Sequence, residues 1–256
     1  VSSVYFVAYA SPIGFNQYIL DETLTYPRDG TYPYEWAGNG VTHDIVYLGT
    51  TILSDNQAGN ACYCSGITYE TFMDAWATYN TLKGNSPADI WDLTAANMSN
   101  FRVKWYAADG LRTASTGAIT TWNCGFQVTD LDKARKGDIM QIWRTSESGH
   151  SVIFDRWIRD AGGNKTSVRY WSTHTSTSGI NYNTESYSIL NLTDTSIARV
   201  VKPADDDDWP NRYADSDTTG NPTTVSGEPT PTSTPTPTPT PTNDQLLVED
   251  FEPWSA

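Results

Sequence analysis

Two spacings of apolar residues divide the chain. Over residues 65–82, Ile67, Phe72, Ala75, Trp76 and Tyr79 fall along one side of a helix, and Lys83 followed by Gly84 ends the run. Ser86 before Pro87 reads as cap and first turn of a second helix, running to Met98. Thr129 with Asp132 starts a short third one that closes at Lys136 and Gly137. From Asp138 onward the period drops to two. The segments DIMQIWR, HSVIFDRWIRD, KTSVRYWSTH and SIARVVK are rich in β-branched and aromatic residues, and AGGN between the second and third is a hairpin signal. A helical half followed by an antiparallel sheet predicts an α+β fold.

The pattern stops near residue 205. An acidic stretch, ADDDDWPNRYADSD, leads into alternating Pro and Thr between Pro229 and Thr242. Such a tract cannot form a packed core and favours polyproline II, so its 14 residues reach about 43 Å at roughly 3.1 Å each. The expected organisation is a globular domain over residues 1–204, a linker over 205–243 and the start of a truncated second module over 244–256. The last of these opens with a strand-like LLVEDF and resembles the beginnings of some carbohydrate-binding β-sandwich modules. Pro/Thr stalks of this kind are commonly extracellular. The opening VSSVYFVAYA is too short and uncharged for a secretory signal, so a secreted protein whose signal has been removed is expected.

Charge narrows the partners. With 30 acidic against 16 basic residues the net charge is −14, which repels nucleic acid and anionic membrane surfaces, and no run is long and apolar enough to span a bilayer. Ten Trp and fifteen Tyr suit either contact with sugars or an aromatic core. Three cysteines are too few for a disulfide scaffold, and the odd number leaves one thiol over in a monomer. Cys62 and Cys124 are either core residues or a disulfide in an oxidising compartment.

Cys64 is the candidate for that thiol. It stands at the first turn of the longest helix, followed by Ser65 and Gly66. Backbone N–H groups there carry partial positive charge, which favours thiolate over thiol, and they can also hold an oxyanion. Gly66 is expected to leave room for a substrate at the sulfur. A thiolate needs a base, and the chain offers three histidines. His150 follows the turn SESG and opens a strand, which makes it the candidate base. His174 ends the next strand across the hairpin and is placed to orient the His150 ring. His43 reads as a loop residue. No cofactor is expected: a zinc site from His150, His174 and a cysteine lacks paired ligand spacing, and Asp205–Asp208 reads as a solvated acidic turn rather than a calcium loop.

Three blocks in order, YPYEWAGNG, CSG opening a helix, and KARKGDIMQIW followed by GHSVIF, resemble the NlpC-type cell-wall cysteine peptidases and amidases, a permuted branch of the papain-like superfamily. The resemblance covers residues 30–176 and implies a papain-like fold with Cys64 as nucleophile, His150 as general base and His174 as the third polar residue. Tyr34 stands where that family has a tyrosine near the nucleophile and is implied to assist the oxyanion. Where the family has Asp before its cysteine, this chain has Tyr63. That departure puts recognition of a free peptide amine in doubt and leaves Tyr63, Ser65 and Gly66 as substrate-side positions. An insertion over 101–126 is expected to shape or cover the cleft. The implied partner is peptidoglycan or another cell-wall polymer, acted on by a monomer. A catalytically inactive extracellular module binding carbohydrate or peptide, and a thiol acyl-transferase, are the alternatives.

Overall fold

The computed structural model describes residues 14–90 and 92–201, so the expected linker over 205–243, Asp205–Asp208 and the expected second module lie outside the described residues. The chain begins with α1 (Asn16–Thr25) and a small hairpin, β1 (Ile45–Tyr47) and β2 (Thr50–Leu53). Three helices follow, α2 (Cys64–Lys83), α3 (Met98–Trp105) and α4 (Ala114–Thr121). Then come β3 (Gly125–Gln127), β4 (Ile139–Trp143), β5 (Gly149–Arg159), β6 (Lys165–His174), β7 (Gly179–Ser186) and β8 (Ser196–Val200). These six strands form one antiparallel sheet in the order β3-β8-β4-β5-β6-β7. Helices and an antiparallel sheet occupy separate stretches of chain, as the α+β reading expects.

Helix α2 runs as the apolar spacing predicts and ends at Gly84, which takes the left-handed conformation and returns its N–H to Asn80 and Thr81 carbonyls. Its Ile67, Phe72, Ala75 and Trp76 are fully buried. The expected second helix over 86–98 is absent among the described residues. Asp92 sits at φ 53°, off the helical track, and the helix starts afresh at Met98 behind a reciprocal pair in which Asn97 Oδ1 accepts from Thr94 N and Thr94 Oγ1 from Asn97 N. The expected third helix shrinks to a 3₁₀ turn, Leu131–Lys133, capped by Asp130. The insertion over 101–126 goes into the core rather than over a cleft: it carries α4 and most of α3, whose Phe101 and Trp105 are fully buried against Phe72 and Tyr69.

Strand alternation gives the sheet two buried faces. Ile139, Ile153, Trp171, Ile180 and Ala198 face the helices. Met140, Ile142, Val152, Phe154, Val168 and Tyr170 form a second apolar layer with Leu190 and Ile197. His150 is paired with Ile142 and is spaced by two from Val152, which puts it on this second face; Tyr170, Ser172 and His174 share it by the same spacing. Thr173 and Trp171 point the other way, toward α2.

A buried ion pair locks α1 to the sheet. Asp138, fully buried, accepts from Arg199 Nε at 2.8 Å and Nη2 at 2.9 Å, from Asn16 Nδ2 at 2.7 Å and from the Arg135 N–H at 2.7 Å. Because both carboxylate oxygens are used, removing the acid strands a buried guanidinium. Asp138→Ala is expected to cost about 3–5 kcal/mol, read as a lower urea midpoint with unchanged slope.

Candidate active site

The site is assembled by a strap, residues 32–40, threaded between the start of α2 and the β6–β7 turn. Tyr32 O accepts from Ile180 N at 3.2 Å, Pro33 O accepts from Cys62 N at 2.9 Å, and Glu35 N donates to Cys62 O at 3.1 Å. Tyr34 thereby forms a parallel bridge with Cys62. Further along, Gly40 O accepts from Tyr63 N at 3.3 Å. Three glycines make the threading possible. A Cβ on Gly179 would lie 2.0 Å from Tyr32 O, one on Gly66 would lie 2.0 Å from Gly40 O, and one on Gly40 would enter the Tyr63 ring at 2.4 Å. Gly66 therefore serves close packing of strap on helix, and the expected space for substrate is filled by Gly40.

Cys64 is the first residue of α2. The preceding Tyr63 is extended and offers no side-chain cap, so the dipole of the first turn is left to act on the thiol and its surroundings. Cys64 Sγ lies 3.9 Å from Ser65 Oγ, and Thr68 Oγ1 donates to the Cys64 carbonyl at 2.9 Å. None of the three cysteines is in a disulfide, so the Cys62–Cys124 bridge left open by the sequence is not formed. Burial pushes the Cys62 thiol up to about 12, with the Thr173 hydroxyl pulling the other way, and burial raises Cys124 further still. Neither is poised as a nucleophile.

His150, His174 and Tyr34 come together at the end of β5 and β6. The two imidazole rings meet edge to face at 5.7 Å, and the Tyr34 ring lies 6.2 Å from that of His174. Cys64 reaches the same end of the sheet through its neighbours: Cys62 pairs with Tyr34 and faces Thr173, the residue before His174. Cys64 and His150 are both nearly closed off, 3% and 4% exposed. Ser65 and Tyr63 are buried as well; Tyr63 lies beneath Trp36, whose ring is 4.1 Å away and 45% exposed. Sequence reasoning chose Tyr63 as a substrate-side position, but Trp36 holds the outward place. The alternating YPYEW could have disclosed it, since Tyr34 and Trp36 lie two apart.

Behind the histidines is a polar cluster that the sequence did not reveal. Glu185 accepts from Arg144 Nε at 2.8 Å, Arg144 Nη2 at 2.7 Å and Tyr170 Oη at 2.5 Å, and the Tyr170 ring packs 5.3 Å from that of His150. Burial works to raise the Glu185 carboxyl, but the Arg144 hydrogen bonds and charge more than offset it, and the group stays below the usual range. Ser172, between Tyr170 and His174 on the same face of β6, donates its hydroxyl to Ser151 O at 2.9 Å.

His43, read from sequence as a loop residue, bridges two carboxylates of α2: Nδ1 is 3.4 Å from Glu70 Oε1 and Nε2 is 3.4 Å from Asp74 Oδ2. The three have metal-ligating spacing, but the Glu70 oxygens already accept from Tyr26 Oη, Thr42 N and Thr42 Oγ1, which fits a bridging imidazolium better than a cation site. A cavity of about 310 Å³ lies beside this bridge, between the β1–β2 hairpin and α2, with neither His150 nor His174 in its lining. No family model, curated protein or solved structure matches the chain.

Two outcomes follow from this geometry. Gly66→Ala is expected to lower stability by about 2 kcal/mol or more, since backbone must move at both Gly40 and α2, and to displace Trp36, read by urea unfolding and tryptophan fluorescence. The Asp74 and Glu70 contacts raise His43 to about 10, so its stabilisation is complete below about pH 6.5 and is lost as pH rises through about 10. The side chain is half exposed, so screening reduces the effect to about 1 kcal/mol. His43→Gln should therefore differ from wild type at pH 6 and match it above pH about 10 in thermal unfolding.

Proposed function

We propose that this domain is a papain-like thiol hydrolase of NlpC type, secreted, that cleaves amide bonds in peptidoglycan stem peptides. The observation that carries the reading is the placement of Cys64 at the uncapped N-terminus of α2, at the sheet end where His150, His174 and Tyr34 meet. In this mechanism the Cys64 thiolate attacks the carbonyl and the first-turn amides, with Tyr34, hold the oxyanion. His150 protonates the leaving amine, and water activated by the same imidazole then releases the acyl-enzyme. A Pro/Thr tract leading to a wall-binding module would keep such an enzyme near a polymeric substrate.

The near closure of Cys64 and His150, with Trp36 turned outward, favours a second reading: a non-catalytic module that holds sugar or peptide on an aromatic rim. Thiol labelling separates the two. Iodoacetamide should modify Cys64 rapidly at neutral pH and slowly in acid for the hydrolase, and slowly at both for the binder. With purified peptidoglycan, wild type should release new amine ends detectable by mass spectrometry. Cys64→Ala should reduce that rate by about 10³-fold or more, and His150→Ala by about 10²–10⁴-fold. Equal products from wild type and Cys64→Ala would remove the thiol from the chemistry; acyl transfer to an added amine would identify a transferase.

A further inference from the structure

The polar residues around His174 form a chain of hydrogen bonds whose direction can be followed from one fixed end. That end is Glu185. Held by both Arg144 contacts, its carboxylate can only accept, so Tyr170 Oη donates to it at 2.5 Å. Burial, followed by the neighbouring Glu185 charge, raises the Tyr170 hydroxyl well above its ordinary range, which keeps that proton in place. The tyrosine oxygen is then left to accept, and Asn183 Nδ2 lies 3.3 Å from it.

The orientation of the Asn183 amide is fixed by its other end, since Oδ1 accepts from the Thr184 N–H at 2.8 Å. Asn183 Nδ2 therefore donates in both of its contacts, to Tyr170 and, at 3.3 Å, to Ser176 Oγ. With its oxygen accepting from Asn183, the Ser176 hydroxyl directs its own proton to His174 Nδ1, 2.7 Å away. The Ser176 backbone N–H donates to the same nitrogen at 3.0 Å, which makes His174 the side-chain cap of the 3₁₀ turn Thr175–Thr177. Two donors converge on Nδ1, and a nitrogen that accepts carries no proton.

We infer that Ser176, backed by Asn183, Tyr170 and Glu185, is a positioning residue that holds His174 as its Nε2–H tautomer, so that His174 serves the site as a hydrogen-bond donor. The inference rests on the proposed function only for the statement that His174 belongs to the site. It changes how the third residue works: a donor at Nε2 engages His150 only while the facing nitrogen of that ring is unprotonated and cannot accept from the imidazolium that protonates the leaving amine, whereas an orienting group of the usual triad accepts from the base throughout.

Long-range ¹H–¹⁵N correlation on the full ¹⁵N-labelled chain tests this, since the coupling pattern tells which imidazole nitrogen carries hydrogen. Three histidines keep the spectrum simple, and His174→Gln identifies the His174 signals by their loss. At pH about 8, above the ordinary imidazole range, a bare Nδ1 and protonated Nε2 are expected for His174. An Nδ1–H form, a doubly protonated ring or an even mixture in wild type would overturn the inference. In Ser176→Ala and in Asn183→Ala the Nδ1–H fraction should rise by about tenfold, the factor expected for one lost hydrogen bond; a spectrum unchanged in both would remove Ser176 from the role. The same measurement on Cys64→Ala should repeat the wild-type tautomer. An inert thiol with the expected tautomer would defeat the hydrolase proposal and leave this one standing, and the opposite pair of results would do the reverse.

Discussion

The close passage of backbone over backbone at the start of α2 is the constraint on which the rest of the site depends. Residues 32–40 can touch both the first turn of the helix and the β6–β7 turn because Gly40, Gly66 and Gly179 have no side chains to hold them off. Each contact is made by main-chain hydrogen bonds, to Cys62, Tyr63 and Ile180. Their geometry is less adjustable than side-chain contact, and it sets where Tyr34 and Trp36 stand relative to Cys64.

The sheet contributes in a different manner. Its helix-facing side is a hydrophobic core like any other, but at the β6–β7 edge its second side gives way to polar residues around Glu185 and Arg144. A buried carboxylate there is tolerated because a guanidinium and a phenol satisfy it together. The histidines lie between this cluster and the strap. Fixed charge behind them and main-chain threading in front both limit how far the rings can turn.

Helix α2 and strands β4, β5, β6 and β8 were legible in the sequence because their apolar residues keep period along most of their length. Strand β7 was not: only Ile180 and Tyr182 face the core, while Asn181, Asn183, Thr184 and Glu185 make an edge strand look like a polar loop. Helix α4, ASTGAITT, is built from small and β-branched residues with weak intrinsic preference, and burial of Ala118 and Ile119 overrides it. The expected helix after Pro87 failed for the opposite reason: a sound starting signal had no continuous apolar face behind it. Of the candidate site, Cys64, His150, His174 and Tyr34 could be picked out from local context. Trp36, Ser176, Asn183 and Glu185 depend on strand register and on a contact between distant segments, and neither is written in any short stretch of chain.

The strap joins segments nearly as far apart as the domain allows, from Tyr32 to Ile180. Synthesis delivers α2 and its thiol long before β7 exists. Until that last edge strand closes on Tyr32, the strap lacks its second support. A chain still emerging therefore carries Cys64 without the surroundings it has in the finished domain, and those surroundings arrive only when the strap gains its second support.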